Sequence, residues 1–190
     1  MLPFFGGVAQ AGPNRAAFEA GASTGVLIPL GAGDAASDGT LYRVDAGVGF
    51  GAVHLGGLLS LSLHNAAHYD SLLDPTSPIA GDFQLSRLGA SVRWAPTIGR
   101  FVPSVRAEAA VITFLSPFDS VSYQEDVLPQ LANAGLGVTS TGLLVGGGAD
   151  AAYAIVPDHA WASLSVDVGL DTLPGLGLEV GVRLGLSAAL

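Results

Sequence analysis

Charged residues that could carry chemistry recur with a spacing of two in several segments of this 190-residue chain. Arg43 and Asp45 form one such pair, and Arg106 and Glu108 form another. Side chains two residues apart lie on the same face of a β-strand, so each pair is predicted to share a face. Five arginines and seven acids are expected on faces of this kind: Arg43, Arg87, Arg93, Arg106, Arg183, Glu19, Asp45, Glu108, Asp150, Asp167, Asp171 and Glu179.

Two of the four histidines lie close in sequence to two aspartates, which gives the chain one cluster with metal-ligand or acid–base character. The cluster consists of His64, His68, Asp70 and Asp74. Two histidines without fixed geometry are weak evidence for a site, so we predict no metal, no cofactor and no catalytic residue. The other two, His54 and His159, are expected in short turns, exposed to solvent.

The charged residues are embedded in segments where every second residue is apolar. The last such segment has its apolar positions at Leu176, Leu178, Val180, Val182, Leu184 and Leu186, with Gly, Ser or a charge between them. A strict period of two is typical of a β-strand with two unlike faces. The pattern recurs about eight times, in runs long enough to span a bilayer as tilted strands. We therefore predict an all-β, closed antiparallel transmembrane β-barrel of about eight strands with a polar interior.

The composition agrees with a membrane barrel and excludes several other classes. The chain is 49% hydrophobic but only 12% charged, whereas soluble domains are about 25% charged. Its mean hydropathy is +0.52, yet no convincing helical membrane span is present. A β-barrel explains a high mean hydropathy without a transmembrane helix. A net charge of −9 argues against nucleic-acid binding. The absence of cysteine excludes disulfides and thiolate metal sites.

A soluble sandwich would also have one apolar face, but two features favour the membrane. No Asp, Glu or Arg lies on the apolar face of any predicted strand, as expected from the cost of a charge at the bilayer midplane. Aromatic residues gather near one end of the strands and form an expected interfacial girdle. Its members are Phe18, Phe50, Trp94, Phe101 and Tyr153, with Tyr42 at the opposite rim.

The connections are predicted to alternate in length. Those after strands two, four and six are short, including a tight turn at residues 54–57, and those after strands one, three and five are longer. The two longest, residues 64–82 and 116–137, are expected on the external side, and the second has room for a short helix over residues 124–134. Their aromatic and apolar residues are predicted to pack together or to contact a partner or another copy: Tyr69, Leu72, Leu73, Phe118 and Tyr123.

Residues 16–190 are assigned to the barrel and residues 1–15 to an N-terminal segment, either a signal remnant or a periplasmic lead-in. Inside an eight-stranded barrel there is just enough room for side chains to fill the interior. Charges there must pair, because an unpaired buried charge is costly. The network can serve as an ion path or proton relay, or it can be a polar core that plugs the barrel, and we favour the plug.

The order of strands and connections resembles the small eight-stranded bacterial outer-membrane β-barrels (OmpA/OmpX-like). This resemblance implies location in the bacterial outer membrane and contact with its lipid. The chain departs from such barrels in ending at Leu190 rather than at an aromatic residue. Among enzymes of this architecture, the lipid A deacylase motif has His, then Ser two residues later, then Asn-Ala. Here Asn65 and Ala66 follow His64 directly and that Ser is missing, so no catalytic residue is carried over.

Three functions are compatible with this sequence. The leading hypothesis is a structural or loop-mediated interaction barrel whose interior is plugged by Arg–acid pairs, with a protein partner or a second copy bound through the external loops. The alternatives are a narrow pore for small solutes or ions and a lipid-modifying enzyme. We predict that the protein is not an enzyme.

Overall fold

A computed structural model describes residues 16–30, 38–66, 81–115, 139–157, 159–173 and 177–189. They form eight antiparallel strands: β1 (Ala16–Pro29), β2 (Gly39–Phe50), β3 (Val53–Ala66), β4 (Gly81–Trp94), β5 (Phe101–Leu115), β6 (Thr139–Val156), β7 (Ala160–Asp171) and β8 (Leu178–Ala189). Each strand pairs with its neighbours in sequence, and β8 pairs with β1 to close the barrel. The predicted fold class is confirmed.

The strands are staggered around the barrel. Following the paired residues once around from Glu19 leads back to β1 at Pro29, ten residues further along the strand. A stagger of this kind makes the strands tilt, typically by about 35–45° from the barrel axis. Tilt and strand number together leave a narrow interior that side chains can fill.

The two faces of the barrel differ as the alternation predicts. Leu88 is 67% exposed while its neighbour Arg87 is 5% exposed, and Leu184 is 65% exposed beside Arg183 at 2%. Every charged strand residue whose side chain is described lies on the inner face. Since charges avoid the outer face throughout this part of the chain, that face is suited to hydrocarbon.

The outer face is bounded by different side chains at its two ends. At the end with short turns, five aromatic residues are exposed: Phe18, Phe50, Trp94, Phe101 and Tyr153. Towards the other end, where the long connections lie, several outward positions carry hydroxyl or amide groups beside apolar ones such as Leu63: Thr40, Gln84, Ser86, Thr113 and Thr141. The apolar band therefore lies between an aromatic belt, of the kind expected at a membrane interface, and a polar belt.

The turn predicted at residues 54–57 is wrong. The chain turns at Gly51 and Ala52, and β3 begins at Val53, so residues 54–57 lie within the strand. Gly51 has a φ of 62°, which fits the first central residue of a two-residue hairpin turn. Gly56 is needed for close packing instead, because a β-carbon on it would lie 2.7 Å from the carbonyl oxygen of Ala46.

The remaining connections fit the predicted alternation. The β4–β5 turn contains Gly99 with a φ of 65°, and β6 and β7 are separated by three residues. The predicted connection over residues 64–82 is shorter than expected, because β3 continues to Ala66 and β4 begins at Gly81. Residues 1–15 and the predicted helix over 124–134 lie outside the described residues, so both stay predictions. Within the described ranges, no helix is long and apolar enough to cross a membrane.

Candidate functional site

The middle of the barrel contains a chain of ion pairs that begins on β2. The Arg43 guanidinium donates to both carboxylate oxygens of Asp45, with an Nη2–Oδ1 distance of 2.7 Å. Its other terminal nitrogen, Nη1, lies 2.7 Å from Oε2 of Glu108 on β5. The same Oε2 accepts from Nε of Arg106 at 3.1 Å. Glu108 therefore bridges two arginines from different strands.

The chain continues from Arg106 to β6, β7 and β8. Nη1 of Arg106 lies 3.2 Å from Asp150, and Nη2 donates to Asp167. Asp167 also accepts from Nε of Arg183 at 2.5 Å. Seven charged side chains from five strands thus form one continuous network, the lumen network: Asp45, Arg43, Glu108, Arg106, Asp150, Asp167 and Arg183.

Two further groups of charges lie on either side of the lumen network. Towards the long connections, Arg87 pairs with Glu179 at 2.6 Å. Towards the short turns, Arg93 pairs with Glu19, whose second oxygen lies 3.3 Å from Nδ1 of His54. Eleven of the twelve charged residues predicted for the interior are therefore joined to a partner.

Asp171 differs from the other predicted lumen residues. In the described part of the chain it forms no ion pair; its Oδ1 accepts from the backbone N–H of Leu173 at 2.8 Å and of Gly177 at 3.3 Å. Asp171 therefore stabilises the β7–β8 connection, an Asx-type turn. The prediction that it belongs to the charge network is wrong.

The expectation that His54 is exposed in a turn is also wrong. Its ring lies on the inner face of β3, beside Glu19, and its side chain is only 16% exposed. Gly49 is the residue opposite it on β2, and a β-carbon there would lie 2.7 Å from Nδ1 of His54. The sequence signal that was missed is this glycine, which leaves room for an inward ring.

Inward glycines and serines let the arginines span the interior. A β-carbon on Gly148 would overlap Asp167 and would lie 3.1 Å from Nη2 of Arg106. Hydroxyl groups satisfy remaining polar atoms: Ser104 donates to Asp150 at 2.9 Å, and Arg183 donates to Ser23 at 2.7 Å. Since buried polar groups need partners, this arrangement stabilises the network in place.

The inner face nearer the long connections carries seven buried apolar side chains beside the buried Arg87–Glu179 pair, Ser62 and His64, and the sequence analysis did not predict this apolar set. The apolar side chains are almost completely buried: Leu27, Leu41, Phe83, Leu85, Ile112, Phe114 and Leu144. We call these seven residues the apolar layer. The missed signal is the loss of alternation towards these strand ends, as in the run Val111–Phe114, where apolar residues occupy both faces.

His64 belongs to this end of the interior. Its Nε2 lies 2.9 Å from Oγ of Ser62, and its ring stacks on Phe83 with a centroid distance of 4.6 Å. Both Ser62 and His64 are enclosed, at 0% and 1% exposure. His68, Asp70 and Asp74 lie outside the described residues, and within those residues no three metal-ligating side chains come together. Because both side chains are enclosed on the inner face, a lipid molecule cannot reach them. The Ser62–His64 pair therefore contributes to the packing of the interior.

A cavity of about 110 Å³ enters the barrel from the end with short turns. Its lining reaches from Glu19 and His54 at the mouth to Arg106 and Arg183 of the lumen network. Because a water molecule needs roughly 10–15 Å³ of such space, the cavity has room for several waters. The predicted loop residues Tyr69, Leu72, Leu73, Phe118 and Tyr123 lie outside the described residues, and their role stays a prediction.

No family model matches the sequence, and no curated protein matches it either. Among solved structures, Neisserial surface protein A (NspA) is similar over 91% of this chain and 96% of its own, with a TM-score of 0.60 and 12% identity. The chain has the fold of the small eight-stranded outer-membrane barrels.

Two further barrels show weaker similarity. The N-terminal β-barrel domain of Pseudomonas aeruginosa OprF matches 90% of this chain and 97% of its own, with 15% identity and a TM-score of 0.47. A major outer membrane protein from Thermus thermophilus matches 93% of this chain and all of its own, with 17% identity and a TM-score of 0.46. At such identities the likeness concerns the fold alone.

Proposed function

We propose that this protein is an integral protein of the bacterial outer membrane whose closed barrel has a structural or loop-mediated interaction role and no enzymatic activity. The uncharged outer face between the aromatic and polar belts supports insertion into lipid. The NspA likeness supports the same architecture. Loops on a rigid scaffold are where recognition usually resides.

The observation that carries this proposal is the lumen network. Its links run from β2 to β8 through Glu108, Arg106 and Asp167, so they cross the middle of the interior. The alternative, a narrow pore, requires a continuous passage beyond this level. The other alternative, a lipid-modifying enzyme, requires a nucleophile that lipid can reach, whereas Ser62 is fully enclosed.

Fractionation and electrical recording test the location and the closed interior. We expect the protein to sediment with outer-membrane fractions and to migrate faster in unheated than in heated SDS gels, as a folded barrel does. In planar bilayers the purified barrel should carry no steady current. A stable single-channel current would contradict the closed interior and support the pore.

A loop deletion tests the interaction role. Residues 67–80 and 116–138 are replaced by short glycine-containing turns, which leaves all eight strands intact. We expect the barrel to assemble and to keep its gel mobility, while chemical cross-linking on intact cells no longer yields the products formed by the full-length protein. Unchanged cross-linking would contradict a role for these loops, and loss of assembly would show that they are structural.

A further inference from the structure

The interior changes character along the barrel axis. From the end with short turns inwards, it contains the polar cavity, then the lumen network, and then the apolar layer, with the buried Arg87–Glu179 pair among it at the level of Ile112. The cavity lining includes Arg106, Asp150 and Arg183 but no member of the apolar layer. This cavity therefore reaches the charges, and its lining stops short of the apolar layer.

The apolar layer is closely packed. Ile112 is 0% exposed, and Leu85, Phe114 and Leu144 are each 1% exposed. Phe83 and Phe114 contact each other with ring centroids 5.3 Å apart. Side chains from five strands take part, so the layer extends across the interior rather than along one wall.

The lumen network and the apolar layer hinder the passage of ions in different ways. Water can replace the partners of an ion pair, so charges beside a wet cavity still permit hydration of a passing ion. An apolar constriction excludes water and blocks ions by dewetting, because transfer of an unpaired charge into such surroundings is very costly.

We propose that the barrel interior is a vestibule open at one end: water and small ions enter from the short turns as far as the lumen network, and the apolar layer seals it beyond that point. The ion pairs then hold strands at fixed distances, while the apolar layer supplies the barrier. This inference rests on the closed barrel proposed above.

Cysteine accessibility tests the vestibule without weakening the barrel, because the chain has no native cysteine. Ser91 lines the cavity, whereas Ser62, on the inner face of the neighbouring strand, is 0% exposed. A charged, membrane-impermeant methanethiosulfonate reagent is added to the folded variants in vesicles. Ser91→Cys should be modified readily, and Ser62→Cys at least about tenfold more slowly, since close-packed interiors exclude the reagent.

Two controls make this labelling decisive. Thr97→Cys in the exposed β4–β5 turn gives the rate for a free thiol, and unfolding in urea must render Ser62→Cys fully reactive. Equal rates for Ser62→Cys and Ser91→Cys in the folded protein would overturn the seal. Failure of Ser91→Cys to react would overturn the vestibule.

Bilayer recording then distinguishes the contribution of the apolar layer to the barrier from that of the lumen network. The double variant Ile112→Ser/Leu144→Ser introduces hydroxyls into the apolar layer and should produce a steady current. The matched variant Val111→Ser/Val145→Ser changes the adjacent outward residues and should stay closed, as should Arg43→Gln in the lumen network. A current from Arg43→Gln, or none from the folded inner double variant, would overturn the assignment of the barrier. A conducting wild-type protein would instead contradict the proposed function itself.

Discussion

Arg106 contacts three carboxylates, those of Glu108, Asp150 and Asp167, and its side chain is only 7% exposed. Replacing it by alanine leaves three buried negative charges without this partner. We expect Arg106→Ala to lower the free energy of unfolding by about 3–5 kcal/mol, as when one member of a buried ion pair is removed. Urea titration of the barrel in lipid vesicles, followed by gel mobility, measures the change.

Arg93 provides the comparison for Arg106. It is 30% exposed and has one carboxylate partner, Glu19, so solvent screens the interaction. We expect Arg93→Ala to cost no more than about 1 kcal/mol, as for exposed pairs. Equal losses of unfolding free energy for the two variants would contradict the view that the lumen network contributes more to stability than the Arg93–Glu19 pair.

Gly39 offers a test of how closely the interior is packed. A β-carbon at this position would fall on the ring of His64, so we expect Gly39→Ala to lower the free energy of unfolding by about 1–3 kcal/mol through overpacking. Gly57 is the matched control, because its nearest atom would be the carbonyl oxygen of Gly89 at 3.7 Å. Gly57→Ala should be neutral or stabilising by up to about 1 kcal/mol. Comparable losses in the same urea assay would contradict this account.

For individual residues, the sequence predicted the strand face on which a side chain lies but not the residue that it contacts. Alternation places Arg43 and Asp45 on one face, and the structure shows them bonded. It does not predict that Arg43 reaches Glu108, because that contact depends on the stagger between strands far apart in sequence. Asp171 obeys the alternation too, yet it lies at a strand end, where backbone N–H groups of the turn compete for its carboxylate.

The β2–β3 hairpin depends on a single glycine. Gly51 has a positive φ and nothing near the position of a β-carbon, so the cost of a side chain there is conformational alone. We expect Gly51→Ala to lower stability by about 1–2 kcal/mol, the cost of the left-handed region for a residue with a β-carbon. Gly51→Asn should cost less, because asparagine tolerates this region better. Refolding into vesicles followed by urea titration checks both, and equal losses would point to a steric cause.

The misplaced turn shows where element prediction fails. Two adjacent glycines at Gly56 and Gly57 are a common turn signal, and the single glycine at Gly51 is a weaker one. What distinguishes them is the approach of Ala46 to Gly56 across the strand pair, a contact that exists only once the register is set. The strands themselves were predictable, since period-two alternation depends on local sequence only.

For the whole molecule, the depth of the apolar band is testable with charge insertions. Leu88 is exposed halfway along β4, and Gln84 lies on the same outer face nearer the long connections. In lipid vesicles we expect Leu88→Arg to cost about 2–4 kcal/mol and Gln84→Arg no more than about 1 kcal/mol, as for midplane and interfacial positions. Similar costs at the two positions would contradict the assigned membrane depth.

Pairing of β1 with β8 has a consequence for how the barrel assembles. Each of the other seven pairs joins strands that follow one another along the chain. The β1–β8 pair instead joins residues separated by nearly the whole length of the chain, such as Glu19 and Ala189. The entropic cost of bringing two segments together increases with the length of chain between them, and non-local pairings slow folding. Hairpins should therefore form early and the β1–β8 seam last. Until it forms, both strands have free hydrogen-bonding edges, which makes the nearly complete sheet the species most prone to aggregate.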